Sequence, residues 1–374
     1  MQVQKLSVIN FRNYRECCLE ITAMVNIFYG QNAQGKTNLL EALFYAAFGM
    51  SHRTAQEDDL LKLGTEQLAV SVGFADLHGS NDVKIKKRYA DGKNKKEIFL
   101  NTVKVKPKEH YGTLNMVMFS PEDLQLIKGE PGLRRRFFDM QISQTDKVYY
   151  DLLIKYNRIL QQRNRLLKEI RDNGAAVELL QTWDNEFTVI AAKILAKRLA
   201  ALQKLNKLAQ EIYAVLTGDL EELALFYELK ANNGELLYPA AAQDWEEFYR
   251  SKLAERRSVD ILRGSTGIGP HRDDLLFKVN QRVLKAFGSQ GQQRSAALAV
   301  KLAQLEYVRQ EIDEFPVLLL DDVMSELDDQ RRRQLLKFID GKVQTFITVN
   351  DKALIPDLAA NAYFKITAGT IAEG

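Results

Sequence analysis

Gly30-Gln31-Asn32-Ala33-Gln34-Gly35-Lys36-Thr37 is the stretch on which the reading of this chain turns. It has the spacing G-x-x-x-x-G-K-[ST] of a phosphate-binding loop. The glycines let the backbone fold tightly enough to aim several N–H groups at phosphate oxygens. The helix that follows adds the positive end of its dipole, Lys36 offers a point charge to the β- and γ-phosphates, and the Thr37 hydroxyl can ligate Mg²⁺. The flanks agree with this reading. Val25-Asn-Ile-Phe-Tyr29 is a short apolar strand, and Leu39, Leu40, Leu43, Phe44 and Ala47 fall on one face of a helix beginning at Lys36. ATP or GTP with Mg²⁺ is the ligand expected at residues 30–37.

Downstream, Val317-Leu-Leu-Leu320 runs into Asp321-Asp322. At the end of a buried strand, Asp321 is placed to hold Mg²⁺ directly or through water, and Asp322 to polarise an attacking water. Read alone, the pair is also a strand-ending turn. These two motifs leave a kinase, a GTPase and a ring-forming motor open.

Ser289-Gln290-Gly291-Gln292 narrows the choice, because it precedes a helix over Arg294 to Gln310. A serine hydroxyl and glycine-exposed N–H groups at a helix N-terminus can bind a phosphate or simply cap the helix. The tetrad matches the S-x-G-Q signature of ABC ATPases, and Ser325-Glu-Leu-Asp328 is placed like their D-loop. That resemblance implies that Ser289, Gly291 and Gln292 cap the nucleotide of a second subunit, making ATP part of a dimer interface. About 250 residues separate Thr37 from Ser289. A transporter subunit needs fewer and the coiled-coil arms of an SMC protein need more, which leaves room for a helical lobe with a short hairpin.

That middle segment is helical by pattern. Lys147 to Ile170 and Ala175 to Leu216 carry apolar residues at helical spacing on either side of Asp172-Asn-Gly174. They read as an αα-hairpin packed in a domain core, since the repeat is not a strict heptad. The last third returns to α/β, with strands expected over Asp274 to Val279, Arg282 to Phe287 and Val343 to Val349. The expected fold class is an α/β ABC-type head, a mixed sheet with an antiparallel subsheet, plus a mainly helical second lobe. The head is expected over 1–120 and 265–374 and the helical lobe over 121–264, to within about 15 residues.

Composition bounds the function. Among 374 residues, 52 Lys and Arg against 49 Asp and Glu leave a net charge of +3, which excludes a histone-like polycation but not a local basic patch. The start, Met1-Gln-Val-Gln-Lys-Leu, does not read as a signal peptide, and a cytoplasmic protein is expected. Neighbouring Cys17 and Cys18 cannot form a disulfide framework, and no zinc spacing is seen.

Val83 to Ala90 and Lys95 to Leu100 flank Asp91-Gly92, a hairpin signal. Lys84, Lys86, Lys87, Arg88, Lys93, Lys95 and Lys96 crowd this hairpin. It reads equally as a ribbon for sequence-independent phosphate contact and as an edge guarded by lysines. Within Arg134-Arg-Arg136, at least one arginine is expected in an internal salt bridge.

Several longer motifs carry a closer resemblance, over essentially the whole chain. Phe11-Arg-Asn-Tyr14, Pro121-Glu-Asp-Leu124, Ile127-Lys-Gly129, Arg134-Arg-Arg-Phe-Phe-Asp139, Ser265-Thr-Gly-Ile-Gly-Pro-His271-Arg-Asp-Asp274 and Phe287-Gly-Ser-Gln-Gly-Gln-Gln-Arg294 are similar to those of the RecF family of bacterial recombination-repair ATPases. The resemblance implies a DNA-binding, weakly hydrolysing ATPase that dimerises on ATP. With RecO and RecR, such a protein assists RecA loading at single-stranded gaps and supports the SOS response. An armless, SMC-like DNA-bridging ATPase is the competing reading, and a metabolic kinase lacks an acceptor motif.

Two departures from the ABC pattern stand out. Asp322 replaces the usual glutamate with a shorter side chain, in keeping with slow, switch-like turnover. Phe346-Ile-Thr-Val-Asn350 lacks the usual histidine, with Thr348 or Asn350 as candidate substitutes, neither assigned. Gln125 and Gln141 are both candidates for the ABC glutamine loop.

Overall fold

The computed structural model describes residues 1–90, 93–230, 234–237, 244–355 and 361–373. Two compact units divide the chain, one of Met1–Asp123 with Gln304–Gly374 and one of Leu124–Ala303. No helix among the described residues is long and apolar enough to cross a membrane.

The first unit holds two six-stranded sheets. The mixed sheet has the order β16-β15-β3-β14-β13-β8, built from β3 (Val25–Tyr29), β8 (Met116–Phe119), β13 (Val317–Asp321), β14 (Thr345–Val349), β15 (Asn361–Thr367) and β16 (Thr370–Glu373). All neighbours are parallel except β15 and β16. Every residue of β13 and β14 is buried. Burial on both faces of a parallel sheet is why these strands read as unbroken apolar runs.

The antiparallel sheet runs β2-β1-β4-β5-β6-β7. It comprises β1 (Gln2–Phe11), β2 (Tyr14–Glu20), β4 (Gln67–Asp76), β5 (Gly79–Ala90), β6 (Lys93–Leu100) and β7 (Val103–Val105). Here residues alternate: Leu68, Val70, Val72 and Phe74 of β4 are buried, and their neighbours are more open. Cys17 is buried and Cys18 exposed on β2, the opposite faces that adjacent strand positions require. Helix α1 (Lys36–Phe48) contacts strands of both sheets and is buried almost all round.

The expected hairpin is present as β5 paired with β6, while its turn, Asp91-Gly92, lies outside the described residues. The pleat splits its cations. Lys87 and Lys96 pair across the strands on the buried face, where Lys87 meets Asp58 at 2.5 Å and Lys96 meets Glu57 at 2.7 Å. Lys84, Lys86, Arg88 and Lys95 take the other face, with Ile9, Gln67 and Ala69 lining the same groove.

The second unit is built on α2 (Pro131–Thr145), α3 (Lys147–Asn173), α4 (Leu180–Thr217) and α5 (Trp245–Arg263), with the antiparallel sheet β10-β9-β11-β12. Its strands are β9 (Leu223–Leu229), β10 (Glu235–Leu237), β11 (Asp274–Val279) and β12 (Arg282–Val283). Helices α3 and α4 form the expected hairpin, broken by Gly174 at φ 68°, and α5 packs on both. The strand expected over Arg282 to Phe287 stops at Val283. Leu284 buries its side chain and its carbonyl accepts from Gly288 N–H at 3.0 Å, which winds 284–287 into a helical turn. Residues 265–303, expected with the head, belong to this unit because β11 pairs with β9 and Asp274 pairs with Arg134.

Three buried arginines tie the unit together. Arg134 grips both oxygens of Asp274 at 2.7 and 2.8 Å, the internal pairing expected for one residue of its triplet. Arg198 holds Asp139, the Tyr227 hydroxyl and the Pro270 carbonyl. Arg163 joins Asp184, Asp260 and Thr266. His271 meets the Tyr156 hydroxyl at 2.6 Å, and burial lowers its pKa to about 4. Much of what the long motifs contribute is therefore interior scaffolding, since such charges are buried only when paired.

Candidate nucleotide-binding site

Residues 30–37 close the gap between β3 and α1. Gly30 has φ 147°, and a Cβ there would lie 2.5 Å from the Ile366 carbonyl oxygen; Gly35 has φ 112°, and a Cβ would lie 2.5 Å from Asn13 Nδ2. Side chains are excluded at both positions by conformation and by space. Gln31, Asn32 and Ala33 are exposed, leaving the backbone of the loop open to a ligand.

The loop is braced from the β1–β2 turn, β2 and the β15–β16 turn. Asn13 Nδ2 donates to the Gln34 carbonyl at 3.0 Å, the Tyr14 hydroxyl to the Gly35 carbonyl at 3.0 Å, and Ala368 N–H to Gln34 Oε1 at 2.6 Å. Behind it, Arg12 forks onto the fully buried Glu41 of α1 at 2.7 and 2.8 Å, and Ser51 adds a third donor. Burial alone would raise the Glu41 pKa, but these donors hold it below the ordinary value. None of these braces was singled out by chemistry in the sequence; only the Phe11-Arg-Asn-Tyr14 motif pointed to the place.

Lys36 is buried, and its ammonium donates to the Gly30 carbonyl at 2.6 Å, the Gln31 carbonyl at 2.8 Å and Asn350 Oδ1 at 3.0 Å. Burial lowers its pKa, and the carboxylates of Asp322 and Asp321 oppose that shift. Thr37 Oγ1 donates to Asp321 Oδ1 at 2.8 Å, and Thr348 Oγ1 donates to the same oxygen at 2.7 Å. Burial nevertheless raises the Asp321 pKa. The structure thus brings residues 30–37, Asp321, Thr348 and Asn350 together although nearly three hundred residues of chain intervene.

Asp322 takes φ 53° and starts the short helix Val323–Glu326. Its N–H donates to Thr348 Oγ1 at 2.9 Å and its carboxylate accepts from Ser325 at 2.9 Å. A left-handed aspartate is a tolerated but uncommon conformation. Asp328, at the end of the D-loop-like segment, caps the helix Asp329–Ile339.

A carboxylate and a threonine hydroxyl converging at the loop are hard oxygen donors and suit Mg²⁺, which takes few protein ligands beside phosphate oxygens and water. Thr37 and Asp321 would hold it, and its charge would offset that of the phosphates.

In the second unit, Ser289 stands just before α6 (Gln290–Ile312), and Gly291 and Gln292 lie in its first turn. Ser289 N–H donates to Gln292 Oε1 at 2.8 Å and Gln292 N–H donates to Ser289 Oγ at 3.1 Å. That is a reciprocal capping box, so the helix-cap reading of S-x-G-Q holds beside any other role. Gln141 is buried throughout, and Gln125 is exposed at the start of a short helix.

The fold and the loop geometry define a phosphate-loop head of the RecF and SMC class. The family described as the RecF/RecN/SMC N terminal domain matches residues 2–370. The Smc head domain of Pyrococcus furiosus shares the fold with a TM-score of 0.56 at 15% identity, over 100% of this chain and 96% of that one. The chain is 40% identical over 350 residues to the DNA replication and repair protein RecF of Natranaerobius thermophilus, covering 93% of this chain and 91% of that protein. A solved structure of the recombination mediator protein RecF with ATP, in the RecFOR pathway, superposes with a TM-score of 0.91 at 34% identity, over 100% of this chain and 97% of that one. The chain belongs to the RecF family. Its α/β head with a helical second lobe is the fold of these proteins.

Proposed function

We propose that this protein is an ATP-gated dimer acting in DNA replication and recombinational repair. The observation that carries the reading is the 2.8 Å contact between Thr37 and Asp321, which joins the phosphate loop to the end of β13. On this reading ATP occupies residues 30–37, and Lys36 exchanges its carbonyl partners for β- and γ-phosphate oxygens. Thr37 and Asp321 hold Mg²⁺. Ser289, Gly291 and Gln292 of a second copy cap the γ-phosphate.

Hydrolysis is slow and serves to release the dimer. A water oxygen bonds to the γ-phosphorus, the bond to the β–γ bridging oxygen breaks, and the water's proton passes to Asp322. The short aspartate, engaged by Ser325, supports weak rather than rapid turnover. DNA contact falls to Lys84, Lys86, Arg88 and Lys95 on the exposed face of the antiparallel sheet, where charge alone suffices for sequence-independent binding. Action with RecO and RecR in loading RecA at gaps, a part in the SOS response and a cytoplasmic location belong to the same reading, supported by the family.

Light scattering with and without ATP and DNA tests it. A monomer that doubles in mass only with ATP is expected, and a mass indifferent to ATP contradicts the gate. DNA compaction in the absence of any partner protein would favour a bridging role instead.

A further inference from the structure

The signature residue Gln292 has a partner that sequence spacing does not suggest. Its Nε2 donates to Glu221 Oε1 at 2.7 Å, and the other carboxylate oxygen, Oε2, accepts from the buried Tyr213 hydroxyl at 2.7 Å. Tyr213 sits in the last turns of α4, and Glu221 stands just before β9. The side chain of Gln292 is thereby held at both ends, by Glu221 on its nitrogen and by Ser289 N–H on its oxygen.

The geometry points to Glu221 as a positioning residue for the signature, acting through Gln292 on Ser289. Ser289 Oγ accepts from the backbone N–H of Gln292 at 3.1 Å, so the hydroxyl keeps its own proton to donate elsewhere. A serine oriented in this way can donate to an anionic oxygen arriving from outside. Releasing the Gln292 amide lets it rotate and compete for that hydroxyl. The carboxylate's own charge is met by two donors, Tyr213 and Gln292, which lessens its repulsion of an approaching phosphate. No catalytic step is assigned to Glu221 itself, whose carboxylate accepts from Gln292 and Tyr213. The inference rests on the shared-nucleotide reading above, and its test separates the two.

The experiment is sedimentation of the full chain with ATP and Mg²⁺, comparing wild type, Glu221→Ala and Glu221→Gln, with calorimetric ATP affinity of each monomer as the check on folding. Glutamine keeps an acceptor for Gln292 Nε2, whereas alanine removes it. Removing a charge-assisted hydrogen bond at one composite site should weaken dimerisation about tenfold. A symmetric dimer has two such sites, so Glu221→Ala should raise the dimer dissociation constant by about a hundredfold. Monomer ATP affinity should stay unchanged, and Glu221→Gln should restore most of the loss. Weaker dimerisation at unchanged monomer ATP affinity is the readout a merely structural role would not give.

Wild type dimerising while Glu221→Ala dimerises equally well or better overturns the assignment alone. Glutamine failing like alanine, with ATP affinity intact, also overturns it. Wild type remaining monomeric with ATP overturns the shared-nucleotide reading and this inference with it. Should alanine misfold, Tyr213→Phe removes one brace while leaving Glu221 in place, and unchanged dimerisation in that variant would count against the relay.

Discussion

Asn350 Oδ1 lies 3.0 Å from Lys36 Nζ, so the end of β14 helps to hold the phosphate-loop lysine. The remaining two contacts of that ammonium are to carbonyls of its own loop, Gly30 and Gln31. All three are partners that a triphosphate can displace. Lys36→Ala should therefore abolish ATP binding while leaving the fold intact, because Gly30 and Gly35 shape the loop without it. Unchanged ATP affinity by calorimetry would rule out the assigned loop.

Asp322 is held by Ser325 and by its own N–H on Thr348. Asp322→Asn preserves size and those contacts but cannot take a proton. ATP binding should persist, turnover should fall by a factor of about 100 or more, and the ATP-bound dimer should live longer. Wild-type turnover in this variant would clear Asp322 of its role.

Asp321 titrates above the ordinary carboxylate value, because burial outweighs the donors Thr348 and Thr37. A raised acid pKa means that the folded chain keeps this proton to higher pH than the unfolded chain does. Its contribution to stability is present below the unfolded value and is lost as pH rises through the folded one. Protons and Mg²⁺ compete for the same oxygen, so Mg²⁺-dependent ATP affinity should weaken on acidification through that raised pKa. Thr348→Val removes a donor and should move the fall to higher pH. Titrations with and without Mg²⁺ from the ordinary carboxylate value upward decide it; superimposable profiles would contradict the account.

The two faces of the basic hairpin should separate on mutation. Changing Lys84, Lys86, Arg88 and Lys95 to glutamine should weaken DNA binding and reduce its salt slope by about 0.9 for each phosphate no longer neutralised. Lys87→Gln should leave the slope alone and cost about 1 kcal/mol of stability, since Lys87 is buried against Asp58. An unaltered slope in the fourfold variant would move the DNA surface elsewhere.

Arg134→Ala leaves Asp274 buried without its fork and should destabilise the helical unit by about 3–5 kcal/mol in chemical denaturation. A destabilisation below about 1 kcal/mol would mean that water or another cation takes its place.

Much of this was legible in the sequence, for identifiable reasons. The parallel strands announce themselves because β13 and β14 are buried on both faces, and the loop because its glycines are sterically required. The split of the hairpin cations follows from the period of two, yet counting charges without that period merges Lys87 and Lys96 with the exposed set. Local apolar content made Arg282 to Phe287 look like strand, where a buried Leu284 and a turn to Gly288 prevail. Pairs such as Gln292 with Glu221, or Lys36 with Asn350, join residues far apart in sequence and leave no local pattern.

The most direct test of a shared nucleotide is complementation in a mixture. Lys36→Ala keeps its signature but loses its phosphate loop, and Ser289→Arg keeps its loop but loses its signature. Sedimentation with ATP and Mg²⁺ should show each variant alone as a monomer and the equimolar mixture as a heterodimer with one working site. Ser289→Arg dimerising by itself as wild type does, or a mixture that stays monomeric while wild type dimerises, would contradict the account.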